Sequence, residues 1–445
     1  MSKQKGKRGK RVRVVAGLAV TLAACGVITA LVFSQMGNQG LPGFDSGSDG
    51  SDGALILTEP GTILFDPMDF TPPLDQDGDG VYHFISIHIG QGVTVKLSAI
   101  PLGTKPVVWL SSGTVQIDGT IDLNGEDGHD FSALVYRPSI AGAGGYEGGI
   151  GGGPDVGVPT AGRGPGAGGA GLFPPDPYST SRGGIAGHAS DGRGESDFGQ
   201  AGKAYGNNFL LPLLGGSGGG GCSVRYLGNR PGGGGAGGGA MLIASSVSVM
   251  VGGSISANGG NGGNAQGTFG IARMGGPGSG GAIRIVAPTV QGSGNLTAFG
   301  GTAANGVLGS KGRIRLEAFE HLFKGTADPQ TRFATPGPVS PPSGTPSVRV
   351  TSVAGVVVPT NPRGSFTPVD LVINEASDAI VELEATKIPP GTRVQLDMYS
   401  EDAPARTIES APLVGTLDRS TATATVKIPP GFSRFFVMAT WDPNQ

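Results

Sequence analysis

Two cysteines, two tryptophans and seven tyrosines in 445 residues are a thin supply of the side chains that usually tie a chain together. Cys25 and Cys222 cannot build a disulfide framework, and neither has a second thiol or a histidine at metal-ligand spacing. Charged residues make up only 15% of the chain and aromatics 6%, so neither ion-pair lacing nor large rings can dominate the interior. No acid occurs in the first thirteen residues, which hold seven of the 31 basic ones. The remainder is acidic, repels phosphate backbones, and gives no basis for a nucleic-acid partner. What abounds is glycine, 85 residues, beside 34 prolines. This glycine has no Gly-X-Y period, which excludes collagen. Interior glycine costs a helix about 1 kcal/mol against alanine, so an ordinary helical or doubly wound enzyme is excluded as well.

The early basic cluster is explained by the residues after it. Val14 to Phe33 runs for twenty residues without a charge. A helix of that length spans a bilayer's hydrocarbon core, and flanking cations hold its amino end in the cytoplasm. A retained signal anchor and a secretory signal cut near Ser34 both fit. Leu22-Ala23-Ala24-Cys25 resembles the bacterial lipobox, which implies lipidation of Cys25. Each reading exports everything beyond residue 34 and makes the membrane, met through the N-terminal helix, the first partner. The expected address is a bacterial cell envelope, outside the cytoplasm.

Composition divides the chain further. Residues 35–53 read as a flexible linker, 54–334 as a glycine-rich body, 335–347 as a proline-rich linker and 348–445 as a compact β-domain. The body contains a repeat. Val115-Gln-Ile117-Asp-Gly119-Thr-Ile121-Asp-Leu123-Asn124-Gly125 aligns with Val249-Met-Val251-Gly-Gly253-Ser-Ile255-Ser-Ala257-Asn258-Gly259, and loosely with Val290 to Gly300. Preceding strands repeat too, at Gly239–Ile243, Gly281–Ile285 and Gly312–Leu316. Period-two alternation puts the apolar residues on one face, and one such rung cannot bury that face alone. Stacked rungs with Asn-Gly corners predict a right-handed parallel β-helix, with Asn124 and Asn258 at equivalent, ladder-forming positions; a β-sandwich is the alternative. The long glycine tracts between rungs are either mobile or packed as hydrogen-bonded polyglycine segments.

GSGGAIRI (278–285) and ISANGGNGG (255–263) carry a resemblance to the glycine-rich β-helical surface proteins of bacteria, over roughly residues 80 to 320. The resemblance implies export and a structural or adhesive role, with polysaccharide or other envelope proteins as partners, and it brings no catalytic residues. In the last hundred residues, Lys387-Ile-Pro-Pro-Gly391 recurs as Lys427-Ile-Pro-Pro-Gly431. Two such turns before apolar strands predict an immunoglobulin-like sandwich, with strands at 348–358, 371–373, 379–384, 393–398, 422–428 and 435–441.

Candidate chemistry is sparse. Asp75-Gln-Asp77-Gly-Asp79-Gly80 has the D-x-D-x-D-G spacing that can surround calcium, yet Ser86 stands where a bidentate glutamate would complete the loop. Both calcium and a plain acidic turn fit it; no other cofactor is expected. Glu126, Asp127, His129 and Asp130 form the densest ionisable cluster. On a β-helix corner these could serve a carbohydrate-active enzyme, a lyase or a hydrolase, though the N-T-D and Gly-His-Gly motifs common in such enzymes are missing. Arg313-Ile-Arg315 aligns with Ile283-Arg-Ile285 and reads as ordinary strand. Gly166–Gly171 matches G-x-G-x-x-G by glycine density alone. His83 and His88, five apart, are expected on opposite strand faces. The expected function is therefore non-enzymatic: structural, adhesive or surface-displaying.

Overall fold

A computed structural model describes residues 42–76, 80–132, 137–154, 157–172, 180–194, 198–225, 230–267, 270–303, 306–340, 346–359, 362, 369–374, 378–400, 406–431 and 433–441. The apolar stretch Val14–Phe33 and Cys25 lie outside them. Among the described residues no helix is long and apolar enough to cross a membrane.

The chain is almost entirely β and irregular structure, and its body is a solenoid of parallel rungs. A short first rung (Gly53–Leu57, Gly61–Leu64) leads to a second (Val81–Ile89, Val93–Lys96) and a third (Val107–Ser111, Val115–Ile117, Thr120–Asp122). The fourth (Ala240–Ser245, Ser248–Val251, Ser254–Ser256), fifth (Ala282–Val286, Thr289–Gly292, Asn295–Thr297) and sixth (Arg313–Glu317, Glu320–Phe323, Thr326–Asp328) follow. Stacked in parallel, and joined by Arg332–Ala334 beyond the sixth rung, they form one sheet of eleven strands and one of six. The register is the one the repeat requires: Val115 pairs with Val249 and Val249 with Val290, while Ile121, Ile255 and Leu296 share a second column. Inward columns such as Val95–Ile121–Ile255–Leu296 and Trp109–Ile243–Ile285–Leu316 are buried and make the main core.

Two strands, Ala240–Ser245 and Ala282–Val286, are buried on both faces, which explains the apolar run Ala240–Ala244 and leaves Arg284 a buried charge in the second. Phe44, Leu213 and Val339, from three separate stretches of chain, cover their outer side. The first and last of these belong to the two segments read as linkers. In its described part the first is fastened down: Ser46 is buried, its Oγ donating to the Ser111 carbonyl at 2.8 Å. The second is held where Arg284 Nη2 donates to the Pro338 carbonyl at 2.7 Å.

His83 and His88 depart from expectation. Tyr82 and Phe84 point inward, but so do Ile87 and Ile89, so the alternation slips at Ile85–Ser86, where the strand turns from one solenoid side to the next. Both histidines therefore face outward, His83 beside Asp49 and His88 beside Asp118.

The glycine tracts pack as a solid bundle. From 233 to 240, consecutive N–H groups donate to the carbonyls of His129, Gly149, Gly276, Glu126, Tyr146, Ser279, Leu123 and Ala143, at 2.7–3.0 Å. Every third residue returns to the same neighbour, three positions along. A three-residue turn bonded only to its neighbours is polyproline-II geometry. Glycine is needed here for approach and not for unusual dihedrals: none of Gly232–Gly239 has a positive φ. A Cβ on Gly237 would sit 1.8 Å from the Gly216 carbonyl oxygen.

The C-terminal residues fold as two antiparallel sheets, of five and three strands, over their own core of Val381, Leu383, Val394, Leu396, Met398 and Val426. Gly391 and Gly431, ending the two Pro-Pro-Gly turns, share φ +91°. The expected strand at 371–373 does not form, though Leu371 and Ile373 pack on the core, whereas Arg406–Pro412 and Val414–Gly415 are strands that the alternation did not reveal.

Candidate functional site: the asparagine–aspartate edge

Leaving the third rung at Leu123, the chain enters the bundle with Asn124, Asp127 and Asp130 at every third position, hence on one edge. The fourth rung's exit repeats this with Asn258, Asn261 and Asn264. The two edges lie side by side and are stitched twice. Gly125 and Gly128 N–H donate to the Asn258 and Asn261 carbonyls at 2.8 and 2.7 Å. In return, Asn258, Asn261 and Asn264 N–H donate to Asn124 Oδ1, Asp127 Oδ1 and Asp130 Oδ1 at 2.7, 2.8 and 2.7 Å. Asn261 and Asn264 Nδ2 reach the second carboxylate oxygens at 3.0 and 3.1 Å. The fifth rung's exit continues the ladder, where Phe299 and Thr302 N–H donate to Asn258 Oδ1 and Asn261 Oδ1.

These contacts decide what the 126–130 cluster can do. Asp127 and Asp130 lie on an exposed edge, and each spends both oxygens on a backbone N–H and an amide. Glu126 Oε2 accepts from Ile140 N–H at 3.2 Å. Burial, with Arg137 adding to it, holds the His129 imidazole below its ordinary range. The Asx side chains brought together are thus partners from successive rungs, while His129, near Glu126 and Asp130, keeps a buried Nε2 with no hydrogen-bond partner.

Other expected sites resolve differently. Asp75, at φ +53°, receives Gly80 N–H on its carboxylate at 3.2 and 3.3 Å and donates its own N–H to Asp52 Oδ1. Its carboxylate closes the acidic turn, while Asp77 and Asp79 lie outside the described residues. Among the described residues no three His, Cys, Asp or Glu side chains are grouped to hold a metal. Cys222 is fully buried, its thiol pushed up to about 12 by burial, with Sγ accepting from Gly232 N–H. Gly166–Gly171 is bundle backbone: Gly168 and Gly171 donate to the Gly218 and Gly221 carbonyls. Arg313 to Arg315 is ordinary paired strand.

A cavity of about 1310 Å³ lies away from this edge, between the bundle and the C-terminal sheets, lined by Tyr146, Glu147, Arg163, Asp397, Thr407 and Phe435 among others. It is crossed by the Arg163–Asp397 ion pair, whose carboxylate also receives Gln395 and Thr407. These groups join the two parts of the chain. Nothing in the sequence pairs residues 163 and 397; the every-third Asx pattern, by contrast, is visible there.

Set against family models, curated proteins and solved structures, the chain finds no match.

Proposed function

We propose that the chain is a non-enzymatic, exported structural protein of a bacterial cell envelope. In this reading Val14–Phe33 holds it to the membrane, and a right-handed parallel β-helix with its glycine bundle forms a stiff body. That body presents an immunoglobulin-like C-terminal domain and a glycine-rich surface to polysaccharide or to other envelope proteins. One observation carries the proposal: the carboxylates of the densest ionisable cluster, Glu126, Asp127 and Asp130, accept backbone and amide hydrogen bonds along a ladder. A ladder stiffens a solenoid, whereas hydrolysis or elimination needs groups free to exchange protons.

The test incubates the purified protein with a panel of neutral and acidic glycans. No turnover is expected, and Asp127→Asn, which keeps the Oδ1 acceptor but loses the Oδ2 that receives Asn261 Nδ2, should leave glycan retention unchanged. Turnover that this substitution abolishes would replace the proposal with a carbohydrate-active enzyme. Intact-mass analysis of membrane-extracted protein separates a retained anchor from a cut signal and from a lipidated Cys25. Recovery of the protein at its full, unprocessed mass in the soluble cytosolic fraction would remove the envelope assignment.

A further inference from the structure

A solenoid ends in two free edges, each a row of unpaired backbone groups that natural proteins usually cap. Here every rung strand runs in the same direction, so the two free edges are complementary: each offers the other what its own missing neighbour would supply. The first-rung edge is Gly53–Leu57 with Gly61–Leu64; the far edge is Glu320–Phe323 with Thr326–Asp328.

The register shows which residues would meet. One outward column runs Ile56, His88, Gln116, Met250, Gln291, Leu322. Its two ends are apolar and open to water, Ile56 at 59% exposure and Leu322 at 43%. A second outward column runs Thr62, Thr94, Thr120, Ser254, Asn295, Thr326. Its members already bond across rungs, Thr120 to Ser254 at 3.0 Å and Thr326 to Asn295 at 2.6 Å. The corner joining these columns holds exposed Glu59 at the first end and exposed Lys324 at the last. No lysine or arginine occurs between residues 35 and 95, whereas the far end carries exposed Lys324 and Arg332 beside the acidic Glu320 and Asp328. The far end also leaves apolar core-side surface uncovered, Phe333 being 57% exposed although it pairs with fully buried Leu316.

We infer that a second copy of this chain stacks on the far end, its first rung continuing the ladder, so that Ile56 meets Leu322, Glu59 meets Lys324 and Thr62 meets Thr326. Such a head-to-tail contact does not close on itself, and repetition gives a filament along the solenoid axis.

The test uses the full chain and two cysteine variants, Glu59→Cys and Lys324→Cys, mixed and mildly oxidised. Peptide mass spectrometry should find position 59 of one copy joined to position 324 of another. A chain carrying both changes should give a ladder of dimers, trimers and longer species. Leu322→Asp, at an exposed position, should abolish that ladder with the melting temperature unchanged. A swapped chain, Glu59→Lys with Lys324→Glu, should assemble again where either change alone does not. Bonds only between like positions, or an unlinked monomer at every concentration, would overturn the inference. So would a position-324 thiol shielded from maleimide at high dilution, which would mean that another part of the same chain covers this end.

Discussion

Asn258 N–H donates to Asn124 Oδ1 at 2.7 Å across 134 residues of intervening chain, and Asn258 Oδ1 accepts from Phe299 N–H at 2.8 Å. One residue, through its backbone N–H and its side-chain oxygen, thus fixes the stacking of three successive rungs as they leave the second sheet. Its oxygen replaces a carbonyl that an ordinary strand would present. Removing the acceptor gives up the bond from Phe299 N–H at an exposed position, where the net worth of a hydrogen bond is about 0.5–1.5 kcal/mol. Asn258→Ala should accordingly lower the free energy of unfolding, measured by denaturant titration, by that amount. Asn258→Asp, which retains the acceptor, should cost less than half as much. Equal losses for the two substitutions would show that the ladder oxygen is not what matters.

The glycine bundle makes a sharper separation possible, between glycines chosen for space and glycines chosen for dihedral angle. Gly237→Ala would place Cβ 1.8 Å from backbone oxygen, and backbone in a close-packed bundle cannot step aside. A loss of about 3 kcal/mol or more is expected, beyond the usual range for overpacking. Gly391→Ala meets open space but at φ +91°, and should cost only about 1–2 kcal/mol. Hydrogen exchange provides the second measurement. Gly233 to Gly239 should exchange slowly, because each N–H is bonded to a neighbouring segment. Fast exchange there would mean that the bundle does not persist in solution.

How much of this could be read beforehand depends on the physical origin of each feature. Alternation fixes an inward face locally, and a shared glycine marks the corner. Val115, Val249 and Val290 could therefore be aligned before their pairing was seen, and Asn124 could be set over Asn258. The bundle depends on which of many near-identical glycine segments lies beside which. A Gly-Gly-Gly tract carries no side chain to specify that, so packed and mobile tracts read alike. The coverings of the outer sheet face, Phe44, Leu213 and Val339, are single residues far apart in the chain, and no period announces them. Arg163 and Asp397 are likewise isolated in sequence. The 406–412 strand was hidden for another reason: its Arg-Thr-Ile-Glu-Ser-Ala-Pro sequence is largely polar and exposed, as suits the edge of a three-stranded sheet.

Arg284 and Glu317 form a buried pair on adjacent rungs, with side chains 2% and 1% exposed. Nε donates to Oε1 at 2.9 Å and Nη2 to Oε2 at 3.1 Å, while Arg315 Nε and Gly337 N–H complete the carboxylate's partners. Burial pushes the Glu317 carboxyl up, but the two arginines and the Gly337 N–H outweigh it and hold it below the usual range. A carboxyl depressed on folding stabilises above its unfolded pKa, and that contribution disappears as pH falls through the folded value. Glu317→Gln leaves Arg284 buried without its counter-charge and should cost about 3–5 kcal/mol. The double change Arg284→Met with Glu317→Leu should recover most of that loss and flatten the acid limb of the stability profile. If the double variant is no more stable than Glu317→Gln, packing and not charge is the dominant contribution.

His188 gives the clearest pH dependence. It is 1% exposed, its Nδ1 lies 2.6 Å from the Gly280 carbonyl oxygen, and its ring stacks on Tyr205 at 4.6 Å between centroids. Burial, reinforced by the nearby Arg313 charge and only partly opposed by the Gly280 bond, lowers it to about 4. The folded imidazole is therefore neutral where the unfolded one is already protonated. Between about 6.5 and about 4 the unfolded chain binds the extra proton, so stability from this group is complete above 6.5 and erodes as pH falls. The loss levels off below 4, having reached about 3 kcal/mol at 1.36 kcal/mol per pKa unit. Urea unfolding at pH 7.5 and 4.5 measures it. His188→Gln, which retains a hydrogen-bonding group but cannot titrate, should lower stability at pH 7.5 yet remove this part of the pH dependence. An unchanged slope between the two pH values in that variant would show that another group titrates in its place.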